Sequence, residues 1–132
     1  EALTKRVSQA PINSTRALAE AIKQALPLRT SGDDVDATVR RVFQAIRIAV
    51  NEEFSALDSL MRAIPAALKS GGRVALLTFH SGEDRRVKKA FQEGLRSGVF
   101  SAVSDEVIRA SMEEQRANPR SSSAKLRWAV KA

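Results

Sequence analysis

The stretch Gly71-Gly-Arg-Val-Ala-Leu-Leu-Thr-Phe79 constrains this chain more than any other. From Arg73 to Phe79 it is almost continuously apolar, of strand length, entered through a glycine pair and left through His80, the single histidine in 132 residues. Such a run, bounded by turn residues, predicts a buried strand of the kind that parallel sheets hold between helices on both faces. Helical periodicity precedes and follows it, so the fold class is α/β.

Upstream, Ser14 caps a helical repeat of Ala17, Leu18, Ala21, Ile22 and Ala25 that Pro27 ends. Thr30-Ser-Gly-Asp-Asp34 is loop-like and divides a helical segment, 1–35, from the remainder, 36–132. From Asp36 one long helix is predicted, its stripe running through Val39, Val42, Phe43, Ile46, Val50, Phe54, Leu57, Leu60, Met61 and Ile64. Pro65 predicts a break, followed by a short Ala66–Lys69 turn.

Downstream, Ser81 and Asp84 predict a reciprocal cap on a helix that buries Val87, Ala90, Phe91 and Leu95 and ends between Gly94 and Gly98. Val99–Val103 is a short strand, Asp105–Arg116 a polar helix capped by Ser104, and Asn118-Pro-Arg120 a turn. Lys125–Lys131 alternates, with Leu126, Trp128 and Val130 on one face, as a half-buried strand does.

Composition removes several classes of function. No cysteine means no disulfide, thiolate nucleophile or thiolate metal site, and a lone histidine argues against a metal cluster. No run of about 18 apolar residues is present to span a membrane. The chain starts at Glu1 without an initiator Met or a signal-peptide pattern, which reads as a processed product, a fragment or a piece of a longer chain. Of the net charge of +7, the stretch 71–132 carries twelve basic against seven acidic residues. A basic excess of this kind suits either a phosphate-bearing partner or a solubilising surface.

Three segments, in order, carry a resemblance: Thr38–Phe54, Gly71–Lys88 with its Thr-Phe-His-Ser-Gly-Glu-Asp-Arg-Arg core, and Asn118-Pro-Arg-Ser-Ser-Ser-Ala-Lys-Leu-Arg127. Together they resemble the MraW family of small-subunit ribosomal RNA methyltransferases. The likeness covers about residues 36–132, and 1–35 resemble the end of that family's helical insert domain. It implies the C-terminal part of a Rossmann-like class I methyltransferase sheet, left incomplete here. It also implies transfer of a methyl group from S-adenosylmethionine to the exocyclic N4 of a decoding-site cytidine.

The family's donor-binding part lies upstream of these segments, so no cofactor-binding residue is assigned and the chain alone is expected to be inactive. Gly71-Gly72 is a strand lead-in, and Asn118-Pro119-Arg120 lacks the second proline and the aromatic of the amino-methyltransferase motif. Gly82 stands where the family usually has leucine.

His80 and Ser81 are the candidate pocket residues because substrate pockets of open α/β sheets lie beyond the carboxyl ends of strands. For His80 a structural hydrogen bond at the strand end is the equal alternative, and for Glu83 and Asp84 helix capping is preferred over acid/base work. Arg85, Arg86, Lys88 and Lys89 form one candidate RNA contact, and Arg120, Lys125 and Arg127 another.

Two functions follow: the C-terminal portion of an active methyltransferase, or a non-catalytic ribosomal RNA-binding component derived from one. In either, a half sheet exposes an edge and an apolar face, so a partner is expected to complete it: the missing N-terminal half, a second copy, or ribosomal protein and RNA. The compartment implied is the cytoplasm, with a mitochondrial matrix or chloroplast stroma as the alternative.

Overall fold

The computed structural model describes residues 2–132 and holds two compact units, 2–53 and 54–132. In the first unit α1 spans Ala2–Gln9, α2 Thr15–Gln24 and α3 Gly32–Val50. Ser14 caps α2 by accepting from the Ala17 amide, and Ser31 caps α3 by accepting from the Asp34 amide. Ala21 and Ile22 are the buried residues of α2, while α3 buries none fully.

The single long helix expected from Asp36 is two helices. Asn51 ends α3, Glu52 takes the left-handed conformation at φ 50°, and α4 restarts at Glu53 and runs to Ala67. The break is fastened electrostatically, since Arg47 donates to both Glu53 carboxylate oxygens (2.8 and 3.2 Å) and Asn51 Nδ2 donates to one of them. Conversely, Pro65 does not break α4. It sits in the last turn, where its missing N–H leaves only the Met61 carbonyl without a helical donor, and Leu68 still donates to Ile64.

In the second unit β1 is Arg73–Thr78, α5 Ser81–Arg96, β2 Phe100–Val103, α6 Met112–Ala117, and β3 Lys125–Lys131, preceded by a 3-10 turn over Pro119–Ser123. The fold is mixed α/β with a three-stranded sheet in the order β1-β3-β2. β3 lies in the middle, antiparallel to both neighbours, pairing Ala75 with Trp128, Leu77 with Leu126, and Val103 with Ala129. β1 and β2 therefore run in the same direction and are joined by the helical crossover α5. The buried parallel strand expected at 73–79 is corrected in two respects: its partner among the described residues is antiparallel, and only one of its faces is covered.

The covered face holds the core, in which Ile64, Val87, Phe91, Phe100 and Ala129 are buried and Leu57, Met61, Val74 and Leu76 pack against them. α5 ends at Arg96, between Gly94 and Gly98 as expected, and Gly94 has a packing role as well. A Cβ there would run into the Phe100 ring, so the glycine lets β2 approach the helix closely. Gly98, at φ 75°, supplies the left-handed residue just past the Ser97 cap.

The polar helix expected at Asp105–Arg116 is shorter. Ser104 continues the sheet instead of capping, donating its amide to the Trp128 carbonyl and accepting the Trp128 amide on its hydroxyl. Ile108 and Leu126 then exchange both backbone hydrogen bonds, and α6 starts only after Ser111, which accepts from the Glu114 amide.

Candidate functional site

The β1–α5 corner is organised by His80, not Ser81. His80 is the N-cap, extended at φ −136° and ψ 161°, and its Nδ1 accepts from the amides of Gly82 (3.1 Å) and Glu83 (3.4 Å). The Glu83 carboxylate reaches back to accept from the amides of Phe79 (3.0 Å) and His80 (3.3 Å), which completes a capping box. The expected Ser81–Asp84 cap is thereby corrected by one residue: Ser81 is the first residue of the helix and exposed. Because Nδ1 accepts two donors, the proton of the neutral imidazole belongs on Nε2. That atom is buried, makes no hydrogen bond among the described residues, and lies 3.4 Å from Glu83 Oε1. The His80 ring meets Phe54 edge to face at 5.8 Å between centroids.

Asp84, released from capping, binds Arg127 through two hydrogen bonds, Nε to Oδ1 at 2.7 Å and the second guanidinium nitrogen to Oδ2 at 3.2 Å. Arg127 is 6% exposed, which removes it from the candidate RNA surface. The Arg127 hydrogen bond holds the Asp84 carboxyl below the usual carboxylate range, against burial that pushes it up, with further lowering from the charges of Arg127, Lys125 and Lys88. This pair ties the strand–helix corner to β3, so two of the three sequence segments are one structural joint.

Arg86 is also committed. It donates to Asp58 at 2.7 Å and stacks over the Phe54 ring, 4.3 Å from its centroid. Arg85, Lys88, Lys89 and Arg120 are exposed, and Lys125 is half-buried with its ammonium near the Ser123 carbonyl. The first candidate patch thus keeps three free-standing cations on α5, and the second keeps Arg120 and Lys125.

Sequence reading missed a hollow of about 550 Å³ beyond the carboxyl end of β1. Its apolar floor includes Leu77, Phe79, Ile108 and Leu126, and its rim carries Arg109, Glu114, Asn118 and Arg120. Leu77, Phe79 and Ile108 are 55%, 53% and 49% exposed. His80 and Ser81 do not line it. The available signal was the pairing of alternate residues: Leu77 and Phe79 fall on the same face as Leu126 and Trp128, opposite the core.

The whole span 1–132 matches the model of the MraW methylase family. The chain belongs to the MraW methylase family. It is 49% identical over 124 residues to ribosomal RNA small subunit methyltransferase H 2 of Alkaliphilus metalliredigens, covering 92% of itself and 36% of that relative. It is 42% identical over 123 residues to ribosomal RNA small subunit methyltransferase H of Crocosphaera subtropica, covering 93% and 38%. With the protein of the same name from Acidobacterium capsulatum the identity is 38% over 136 residues, covering 99% and 45%. The chain thus spans between about a third and a half of the length of these relatives. Among its described residues no helix is long and apolar enough to cross a membrane.

Proposed function

We propose that this chain is the C-terminal portion of an S-adenosylmethionine-dependent ribosomal RNA methyltransferase that modifies the exocyclic N4 of a cytidine at the small-subunit decoding site, in the cytoplasm. The observation that carries this reading is the strand arrangement. Two strands of like direction joined by a helix, with an antiparallel strand inserted between them, are what the closing end of a Rossmann-like class I methyltransferase sheet requires. β1 would be the strand that meets the rest of that sheet. Residues 1–35 would then close the helical insert domain, and 36–132 would belong to the methyltransferase domain.

The residues of the β1–α5 corner do not fit the methyl donor. To hold the donor's carboxylate, its one anionic group, such a corner needs free backbone amides. Here the amides of Phe79 and His80 are taken by Glu83, and those of Gly82 and Glu83 by His80 Nδ1. The donor site is therefore assigned to the part of the relatives' length that this chain does not span. What these residues supply is an RNA-facing surface: Arg85, Lys88 and Lys89 on α5, and Arg120 and Lys125 before β3.

The test supplies small ribosomal subunits and labelled S-adenosylmethionine to the purified chain, alone and together with the N-terminal two-thirds of a relative, followed by nucleoside analysis of the RNA. N4-methylcytidine is expected only in the combined reaction. Transfer by the chain alone would overturn the assignment of the donor site elsewhere. Subunit binding without transfer in either reaction would favour a non-catalytic ribosomal RNA-binding role.

A further inference from the structure

The hollow beyond β1 shares only the Phe79 backbone with the capping box and lies apart from the Asp84–Arg127 joint and the α5 cations. Its volume of about 550 Å³ falls within the roughly 300–1,000 Å³ of small-molecule sites. An exposed aromatic ring stands beside two exposed arginines and a side-chain amide. Arg109 and Arg120 have no acidic partner within 4 Å among the described residues, and the Asn118 side chain makes no hydrogen bond there. Interfaces that receive another protein segment are depleted of charge at their centres. Sites for single-stranded nucleic acid instead pair an aromatic stacking surface with cations that follow the backbone.

We propose that this hollow takes one unpaired nucleotide of single-stranded RNA. Its base stacks on Phe79 over the apolar floor, its phosphate is held by Arg109 and Arg120, and Asn118 and Glu114 meet the base edge as donor and acceptor. This rests on the ribosomal RNA reading above and adds to it a place where the strand is gripped.

The corner explains why Phe79 can serve as a fixed platform. Its amide donates to Glu83 Oε2 at 3.0 Å, so the same capping box that starts α5 also locks the backbone carrying the ring. The backbone that presents the ring is thus held in place, and the neighbouring residue Thr78 is anchored on the opposite face by donating to the Lys125 carbonyl. Phe79 and Arg120 are thus the binding residues proper, and Glu83 is a positioning residue for the ring.

Fluorescence anisotropy of the full chain with a short, mixed-sequence single-stranded RNA, across a salt series, tests the proposal. Phe79→Ala is expected to weaken binding about tenfold with an unchanged salt slope, and Phe79→Trp to retain it. Arg120→Ala is expected to weaken binding and to lower the logarithmic salt slope by about 0.7, the share of one single-strand phosphate. Thermal melting confirms folding, since Phe79 lies outside the core. If Phe79→Ala binds within about twofold of the parent while Arg120→Ala or the α5 cations still matter, the nucleotide site is wrong and the RNA reading stands. If the parent chain binds no RNA at low salt, both fall together.

Discussion

Asp84 and Arg127 join residues 43 positions apart, in a place where neither charge has much water. Removing one member of a buried pair leaves the other uncompensated, which typically costs about 3–5 kcal/mol, whereas replacing both with apolar residues can be nearly neutral. Arg127→Met is therefore expected to cost about 3 kcal/mol or more in chemical denaturation, and Asp84→Leu with Arg127→Met much less. A loss below about 1 kcal/mol for the single variant would mean that the pair is solvated in solution. The pH dependence has a definite sign. Because the native carboxyl titrates below its ordinary 3.8, the unfolded chain binds more protons there, so the stabilisation is complete above that value and is lost as pH falls through the native one. Asp84→Asn should flatten the acid limb of the stability profile in that window. At His80, Asn can replace the cap acceptor and Ala cannot, so His80→Ala should cost about 0.5–2 kcal/mol and His80→Asn far less. Loss of methyl transfer in a stably folded His80→Asn variant, in the complete enzyme, would assign the buried Nε2–H a role beyond the cap.

Periodicity exposed the existence of nearly every helix and strand here, and missed where four of the helices begin or stop. The stripe through Val50 and Phe54 keeps its helical spacing in the sequence across the Asn51–Glu52 break, because one left-handed residue interrupts the helix without disturbing the spacing of the apolar residues. Ser104 has the chemistry of a cap but its backbone is claimed by Trp128, a partner 24 residues away that local pattern cannot reveal. His80 escaped as the cap because histidine is rarely one, although the glutamate three residues later fits the reciprocal signature. Arg127 looked like a surface cation, since charge in a sequence carries no burial. Gly94 has the same lesson and offers a test. Local propensity says that Gly94→Ala in a helix gains about 1 kcal/mol. The Phe100 ring stands where the new methyl would go, and it belongs to the core. Overpacking of that kind costs about 1–3 kcal/mol, so a net loss of stability is expected. Measured stabilisation by Gly94→Ala would mean that α5 and β2 are less closely packed than described.

The three-stranded sheet has one finished face and one open one. Opposite the core, Ala75, Ala102, Trp128 and Val130 line a second hollow of about 540 Å³ near the amino end of β1. β1 itself lies at the sheet edge, and its pairing groups on the side away from β3 meet no strand among the described residues. Open apolar faces and unpaired edges draw other chains together. The second unit by itself should therefore associate as its concentration rises, and Trp128, the single tryptophan, reports on the face concerned. In light scattering, apparent mass should climb with concentration while tryptophan emission moves to shorter wavelength, as the indole is withdrawn from water. Trp128→Lys places a charge in the centre of the face and should hold the chain monomeric. It should leave the melting temperature almost unchanged, because the side chain contributes nothing to the core on the other side. Supplying the N-terminal portion of a relative should cover the amino-end half of this face, around Trp128, shifting the emission while yielding a discrete one-to-one complex in place of a concentration-dependent series. A parent chain that stays monomeric at high concentration, with emission typical of a hydrated indole, would show that this face needs no cover and that the sheet is complete with three strands.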